Sequence, residues 1–203
     1  WKVLGTPWSV DFSSVQGTYN NCLGGITPWG NIITSEEYEP WSNKEINRNG
    51  KGVRDTSDFE GYPRYMQYGW MVEVDVKEKK AVRKLWPLGR FSHEGALCMP
   101  DGKTVYLMDD FAPGCFFKFE ATNANDYTSG QLYAYKQSDD LQSGEWIALP
   151  MERDSLNYAR DMALKRGATI FIRLEDIEQA PDGRFILSET GIDKADLKRA
   201  IAL

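Results

Sequence analysis

Excess positive charge, histidine and pairable cysteine are all scarce in this sequence. The 203 residues carry 24 Lys and Arg against 30 Asp and Glu, a formal charge of −6. A nucleic-acid groove needs the opposite balance, so that class of partner is excluded. The one histidine, His93, gives little support to a His-rich zinc site or a His-dependent triad with several candidate bases. Three cysteines, Cys22, Cys98 and Cys115, cannot all pair with one another, which argues against a disulfide framework. No apolar run approaches the ~18 residues of a membrane span, and the Trp-Lys-Val start lacks the basic n-region and cleavage pattern of a signal peptide. What is present is 41% apolar and 13% aromatic residues, with 18 Gly and 9 Pro. That composition can bury a core and is unlike a disordered chain.

Most of the chain reads as short strands bounded by Gly, Pro, Asn and Asp. The clearest cover residues 69–76, 104–108, 115–120, 131–135 and 145–149, with a further run at 169–175. Only 155–166 has helical spacing, with Leu156, Ala159, Met162 and Ala163 on one face, Ser155 as N-cap and Gly167 as stop. Residues 39–63 predict a long surface excursion, and the charge-rich 77–84 a solvated turn with its strand ends. The fold class is all-β with one short helical insertion.

Three segments align on a Pro-centred turn: Cys22 to Pro28 to Glu36-Glu37, Glu94 to Pro100 to Asp109-Asp110, and Glu175 to Pro181 to Glu189. Each has a potential metal ligand six residues before the proline and a carboxylate eight or nine after it. Antiparallel pairing brings such positions to one edge of a hairpin. The middle copy has one residue more, which predicts a bulge on its return strand. The prolines are 72 and 81 residues apart; the second spacing fits two blades of ~40–45 residues, and the first fits two only if blade lengths vary. A β-propeller of four-stranded antiparallel blades accounts for strand density and repeat together. It sets Cys22, Glu94 and Glu175 around one axis.

A thiolate facing carboxylates across a narrow channel is repelled unless cations lie between them. Carboxylates suit Ca²⁺, whereas a thiolate mixed with carboxylates calls for iron or zinc. The competing reading is that the Pro-Asp-Gly turns are ordinary hairpins and the acids solvated strand ends. Cys22 taken singly reads as a small buried hydrophobe more readily than as a ligand; Cys98 and Cys115 lie in apolar runs and read as core. His93 and Glu94, as strand neighbours, point to opposite faces, and Glu94 is the one in the repeat. Arg173 and Glu175, two apart on a strand, share a face. That arginine is either a structural ion pair or a clamp for an anion. Trp29, in a turn, is the one tryptophan placed near the site.

Four strings then resemble a known family. Asn21-Cys22-Leu-Gly-Gly-Ile-Thr-Pro-Trp-Gly with Ser35-Glu36-Glu37, Tyr68-Gly-Trp-Met-Val-Glu-Val-Asp75, Gly89-Arg-Phe-Ser-His-Glu-Gly-Ala96 and Arg173-Leu-Glu-Asp176 resemble, in order, motifs of PhoX-type bacterial alkaline phosphatases. The resemblance implies a six-bladed propeller, periplasmic or secreted, holding calcium and iron on its axis and hydrolysing phosphate monoesters by metal-assisted attack. It implies that Cys22 binds iron, that Glu94 and Glu175 hold metals, that one of Glu36 and Glu37 faces them, and that Arg173 is catalytic and binds phosphate. Asp109, Asp110 and Glu189 are further candidates for the metals or for groups around them. The partner implied is a small phosphoester, with no nucleic acid, no membrane span and a monomeric chain. Ser35 stands where the family often has Cys, and Leu174 where it has Pro. An upstream acidic segment of the Asn-His-Glu type and further downstream acidic motifs have no counterpart here. The alternatives are a calcium-dependent propeller lactonase or phosphotriesterase, which does not need Cys22, and a non-catalytic binding propeller. At ~40–45 residues per blade the chain is expected to form about four to five blades of one domain, a fragment of the ring.

Overall fold

Strand-forming runs joined by short Gly and Asx turns pair with their sequence neighbours, because closing a short loop sacrifices little entropy. The computed structural model describes residues 5–47, 55–191 and 200–202. The first sheet pairs β1 (Asn21–Ile26), β2 (Ile32–Glu36), β3 (Met71–Asp75) and β4 (Lys80–Lys84), in that order. The second pairs β5 (His93–Cys98), β6 (Thr104–Asp109), β7 (Phe116–Asn123), β8 (Asp126–Gln137) and β9 (Gly144–Ala148). The third pairs β10 (Leu174–Gln179), β11 (Phe185–Glu189) and β12 (Ala200–Ala202). Every pairing is antiparallel between consecutive strands, which is the pattern of propeller blades.

The sheets meet through their first strands: β5 packs against both β1 and β10. Glycine permits this approach. A Cβ on Gly25 would stand 2.4 Å from Ala96 O, and one on Gly95 would stand 2.9 Å from Glu175 O. Apolar side chains fill the two gaps behind these strands. Ile33, Trp70, Phe91, Leu107, Phe117 and Leu132 belong to the larger core, and Met108, Phe116, Phe171, Leu174 and Leu187 to the smaller one.

The described residues form three sheets, where blade length alone predicts four to five. The first two repeat units are each one sheet plus a long excursion. The first excursion, between β2 and β3, contains α1 (Asn43–Ile46), and the second, between β9 and β10, contains α2 (Arg153–Leu156) and α3 (Ala159–Lys165). The single helix expected over 155–166 is therefore two. Its chain breaks at Tyr158, with φ −131° and ψ 39°, and neither helix has a side-chain N-cap, so Ser155 does not serve as one. The halves face different partners: Arg153 stacks 3.8 Å over the Trp86 ring, and Arg160 turns to Asp109. The charged stretch 77–84 is a turn and strand β4 as expected, except that Lys84 is buried. The excursion from residue 39 starts buried, at Glu39 and Pro40, and its residues 48–54 lie outside the described ones.

Candidate metal centre

The three sheets repeat one local device. Asn21 pairs with Glu36, His93 with Asp109 and Leu174 with Glu189, and in each case the register slips before the next pair, Gly24 with Thr34, Ala96 with Leu107 and Ile177 with Leu187. Each first strand thus carries a bulge two residues long, and its first residue is Cys22, Glu94 or Glu175. A bulge re-aims a side chain out of the alternating pattern, here toward the neighbouring sheet. The extra residue of the middle copy lies in the turn: Cys98 pairs with Val105, seven residues on, against six for Ile26 with Ile32 and Gln179 with Phe185. The expected return-strand bulge is therefore replaced by three first-strand bulges.

One residue past each second strand, the backbone is tied across the sheet in the same way. Glu37 N donates to Asn20 O at 3.2 Å, Asp110 N to Ser92 O at 2.9 Å and Thr190 N to Arg173 O at 2.9 Å. Glu37 and Asp110 thereby join the bulge residues. Ligand atoms of Cys22, Glu37 and Glu94 lie within 4.8 Å of one another, as do those of Glu94, Asp110 and Glu175. Glu94 is shared by both groups. Thr190 Oγ1 donates to Glu175 Oε1, so the third sheet contributes a hydroxyl where the others contribute a carboxylate.

The electrostatics are those of a clustered anionic donor set. Cys22 Sγ donates to Glu94 Oε1 at 3.0 Å. That hydrogen bond, burial and the Glu94 charge push the thiol up to about 12. Burial raises Glu94 to about 6, helped by Glu37, Glu175 and Asp110 and opposed by the Cys22 bond. A bound cation would reverse both shifts, and the donor chemistry fits: oxygen alone in one group suits calcium, and sulfur with oxygen in the other suits a softer metal. Arg173 stands at the edge, half-exposed. Its Nε and Nη2 donate to the two oxygens of Asp110 at 2.8 and 3.0 Å, and Nη2 is 3.3 Å from Glu175 Oε1. Arg173 does not share a strand face with Glu175 as expected. It sits before β10 with φ +62°, and this left-handed turn brings the two together.

The alkaline phosphatase PhoX family model matches residues 1–196. The chain belongs to the PhoX family. Among solved structures it is similar to Pseudomonas fluorescens PhoX in complex with vanadate, a transition state analogue, with TM-score 0.64 and 23% identity, covering 85% of this chain and 39% of that chain. The likeness shows the fold, part of a β-propeller, and the chain spans well under half the length of that PhoX. No curated protein matches the sequence.

Of the residues that the repeat and the PhoX resemblance singled out, Cys22, Glu37, Glu94, Glu175, Asp110 and Arg173 converge. Three do not. Glu36, fully buried, accepts from Thr18 Oγ1 and Tyr19 N on Oε1, from Gly69 N and Trp70 N on Oε2, and from Lys84 Nζ at 2.8 Å. Asp109 accepts a fork from Arg160 at 2.8 and 2.7 Å and Cys115 N at 3.1 Å. Glu189 accepts Ile172 N. All three sit opposite an in-register first-strand residue, so their side chains turn into the sheet and anchor the incoming chain. Trp29 is at the opposite end of β1, donating to Glu73 at 3.1 Å and packing on Tyr127, away from the cluster. His93 faces away from Glu94 into the core, its Nε2–H donating to Gly89 O at 2.9 Å. Thr190, Ser92 and Arg160 escaped the sequence reading. For Thr190 the signal was available: Glu36-Glu37, Asp109-Asp110 and Glu189-Thr190 are the same anchor-then-ligand pair.

Proposed function

We propose that the chain is part of a metal-dependent phosphatase that hydrolyses phosphate monoesters on the axis of a single β-propeller domain, to which residues 1–203 contribute. The observation that carries this is the pair of anionic groups sharing Glu94, with a guanidinium held at their edge, in a member of the PhoX family. Cys22, Glu37 and Glu94 would hold iron, and Glu94, Asp110 and Glu175 calcium. When bound, these cations would supply Lewis acidity to the attacking and phosphoryl oxygens. Arg173 binds and orients the phosphate: Asp110 fixes its plane through Nε and Nη2, which leaves Nη1 outside those pairs for a phosphoryl oxygen. The Asp110 pairing also raises the Arg173 pKa further above its ordinary value, so it remains a cation throughout. Cys22 Sγ stands 3.0 Å from Glu94 Oε1, and a thiol must lose its proton to bind a metal, so loading would be favoured as pH rises. A periplasmic or secreted setting and small phosphoester substrates are what family membership supports; that the enzyme acts as a monomer is part of the same proposal.

The test is release of inorganic phosphate from an aryl phosphate by protein loaded with calcium and iron. The expected result is turnover abolished by chelation and lowered about 100-fold by Arg173→Gln, the scale of losing one transition-state charge contact. Hydrolysis of a lactone or phosphotriester instead, indifferent to Cys22→Ser, would favour the calcium-only propeller hydrolases and overturn the proposal.

A further inference from the structure

We infer that Arg160, which touches none of the candidate ligands, sets the spacing between the two metal-binding groups that share Glu94; the inference rests on the reading of those groups as a metal centre. Arg160 lies on α3 and is 4% exposed. Its planar group touches four residues in three segments. Nε and Nη2 clamp Asp109, the residue before Asp110, at 2.8 and 2.7 Å. Nη1 forms an ion-pair contact of 2.7 Å with Glu39 Oε2, two residues after Glu37. Nη2 reaches Ser92 Oγ at 3.4 Å, two residues before Glu94, and Ser92 O in turn accepts Asp110 N. The guanidinium carbon stands 4.0 Å over the ring of Phe111, whose carbonyl accepts Arg173 N.

One rigid fork therefore ties together the backbone flanking Glu37, Glu94, Asp110 and Arg173. Its contacts span two sheets, since Glu39 follows the first sheet's β2 while Asp109 ends β6 and Ser92 immediately precedes β5 of the second. Lys84 on Glu36 offers the contrast within the same fold. It is an ammonium whose one carboxylate partner, Glu36, and whose second acceptor, Gln67 O, both belong to the first sheet and its own connection, so it links strands within one sheet and does not reach another. A bidentate clamp on one carboxylate combined with an ion-pair contact to a second uses the planar fork of the guanidinium. Glu39 is held from its other side by Arg90, whose Nη1 is 3.4 Å from Oε1 and whose Nε donates to Tyr68 O at 2.7 Å. The far anchor is thus itself fixed.

The discriminating variants are Arg160→Lys, which keeps the buried charge and loses the fork, and Glu39→Gln, which keeps the shape and loses the second anchor. The probe is calcium alone, titrated into the full chain by calorimetry well below the melting temperature, with circular dichroism confirming the fold. The expected result is calcium affinity lowered about tenfold in each variant, the scale seen when groups orienting metal ligands are removed, and a double variant no worse than the weaker single one. An Arg160→Lys protein that melts earlier and binds calcium like the wild type would show a purely structural role and overturn the inference. Should Arg160→Lys fail to fold, an unchanged calcium isotherm in Glu39→Gln overturns it equally. A wild-type chain that binds no calcium removes the underlying reading and the inference with it.

Discussion

Replacing Lys84 with Met tests the claim that second-strand carboxylates are anchors rather than ligands. The Lys84 and Glu36 side chains are 2% and 0% exposed and 2.8 Å apart. Removing one partner of such a pair leaves an uncompensated buried charge, at a cost of about 3–5 kcal/mol. Glu36 retains Thr18, Tyr19, Gly69 and Trp70 as donors, which places the effect at the lower end, about 3 kcal/mol. For a chain of this size that is a fall in melting temperature of roughly 6–12 °C. Urea unfolding of Lys84→Met, Glu36→Gln and the double variant completes a cycle. The two changes should couple by about 2 kcal/mol, because neutralising Glu36 removes the charge that Lys84 compensates. A Lys84→Met variant within 1 kcal/mol of wild type, or a cycle additive within about 0.5 kcal/mol, would refute the reasoning.

Two further outcomes follow from the same geometry. Gly25→Ala places a methyl 2.4 Å from Ala96 O, a backbone atom that cannot swing away, so β1 and β5 must separate; thermal melts should show about 1–3 kcal/mol of destabilisation, and an unchanged melt would mean that the first strands are not this close. Burial pushes His93 down to about 3 from its ordinary 6.5, so the unfolded chain binds the proton first as pH falls. The stability that neutral His93 contributes is intact above about 6.5 and is lost on acidification; between pH 7 and 5 it amounts to roughly 2 kcal/mol. Urea midpoints at the two pH values should therefore differ less in His93→Gln than in wild type.

Pattern carried the fold well wherever local chemistry decided it. The strands over 69–76, 104–108, 115–120, 131–135 and 145–149 all lie within or beside β3, β6, β7, β8 and β9, since β-branched and aromatic runs between Gly and Asx turns have little alternative. The repeat was legible because all three hairpins place a potential ligand six residues before a turn proline and a carboxylate eight or nine after it. What could not be read was which member of each acidic pair turns inward. A bulge shifts facing by one residue without altering composition, so Glu36 and Glu37 look alike until register is known. Long-range partners were equally hidden: Lys84 lies in a charged run that reads as solvated, and Arg160 on a helix face that reads as polar, yet both are buried by carboxylates 48 and 51 residues away.

The central claim is that three equivalent bulges bring one thiol and several carboxylates to a common axis to hold cations. Metal analysis of the protein after loading with calcium and iron and exhaustive dialysis tests it most directly. The account predicts that wild type retains both metals and that Cys22→Ser loses iron while keeping calcium. Retention of neither metal by the wild type, or iron content unchanged in Cys22→Ser, would contradict it.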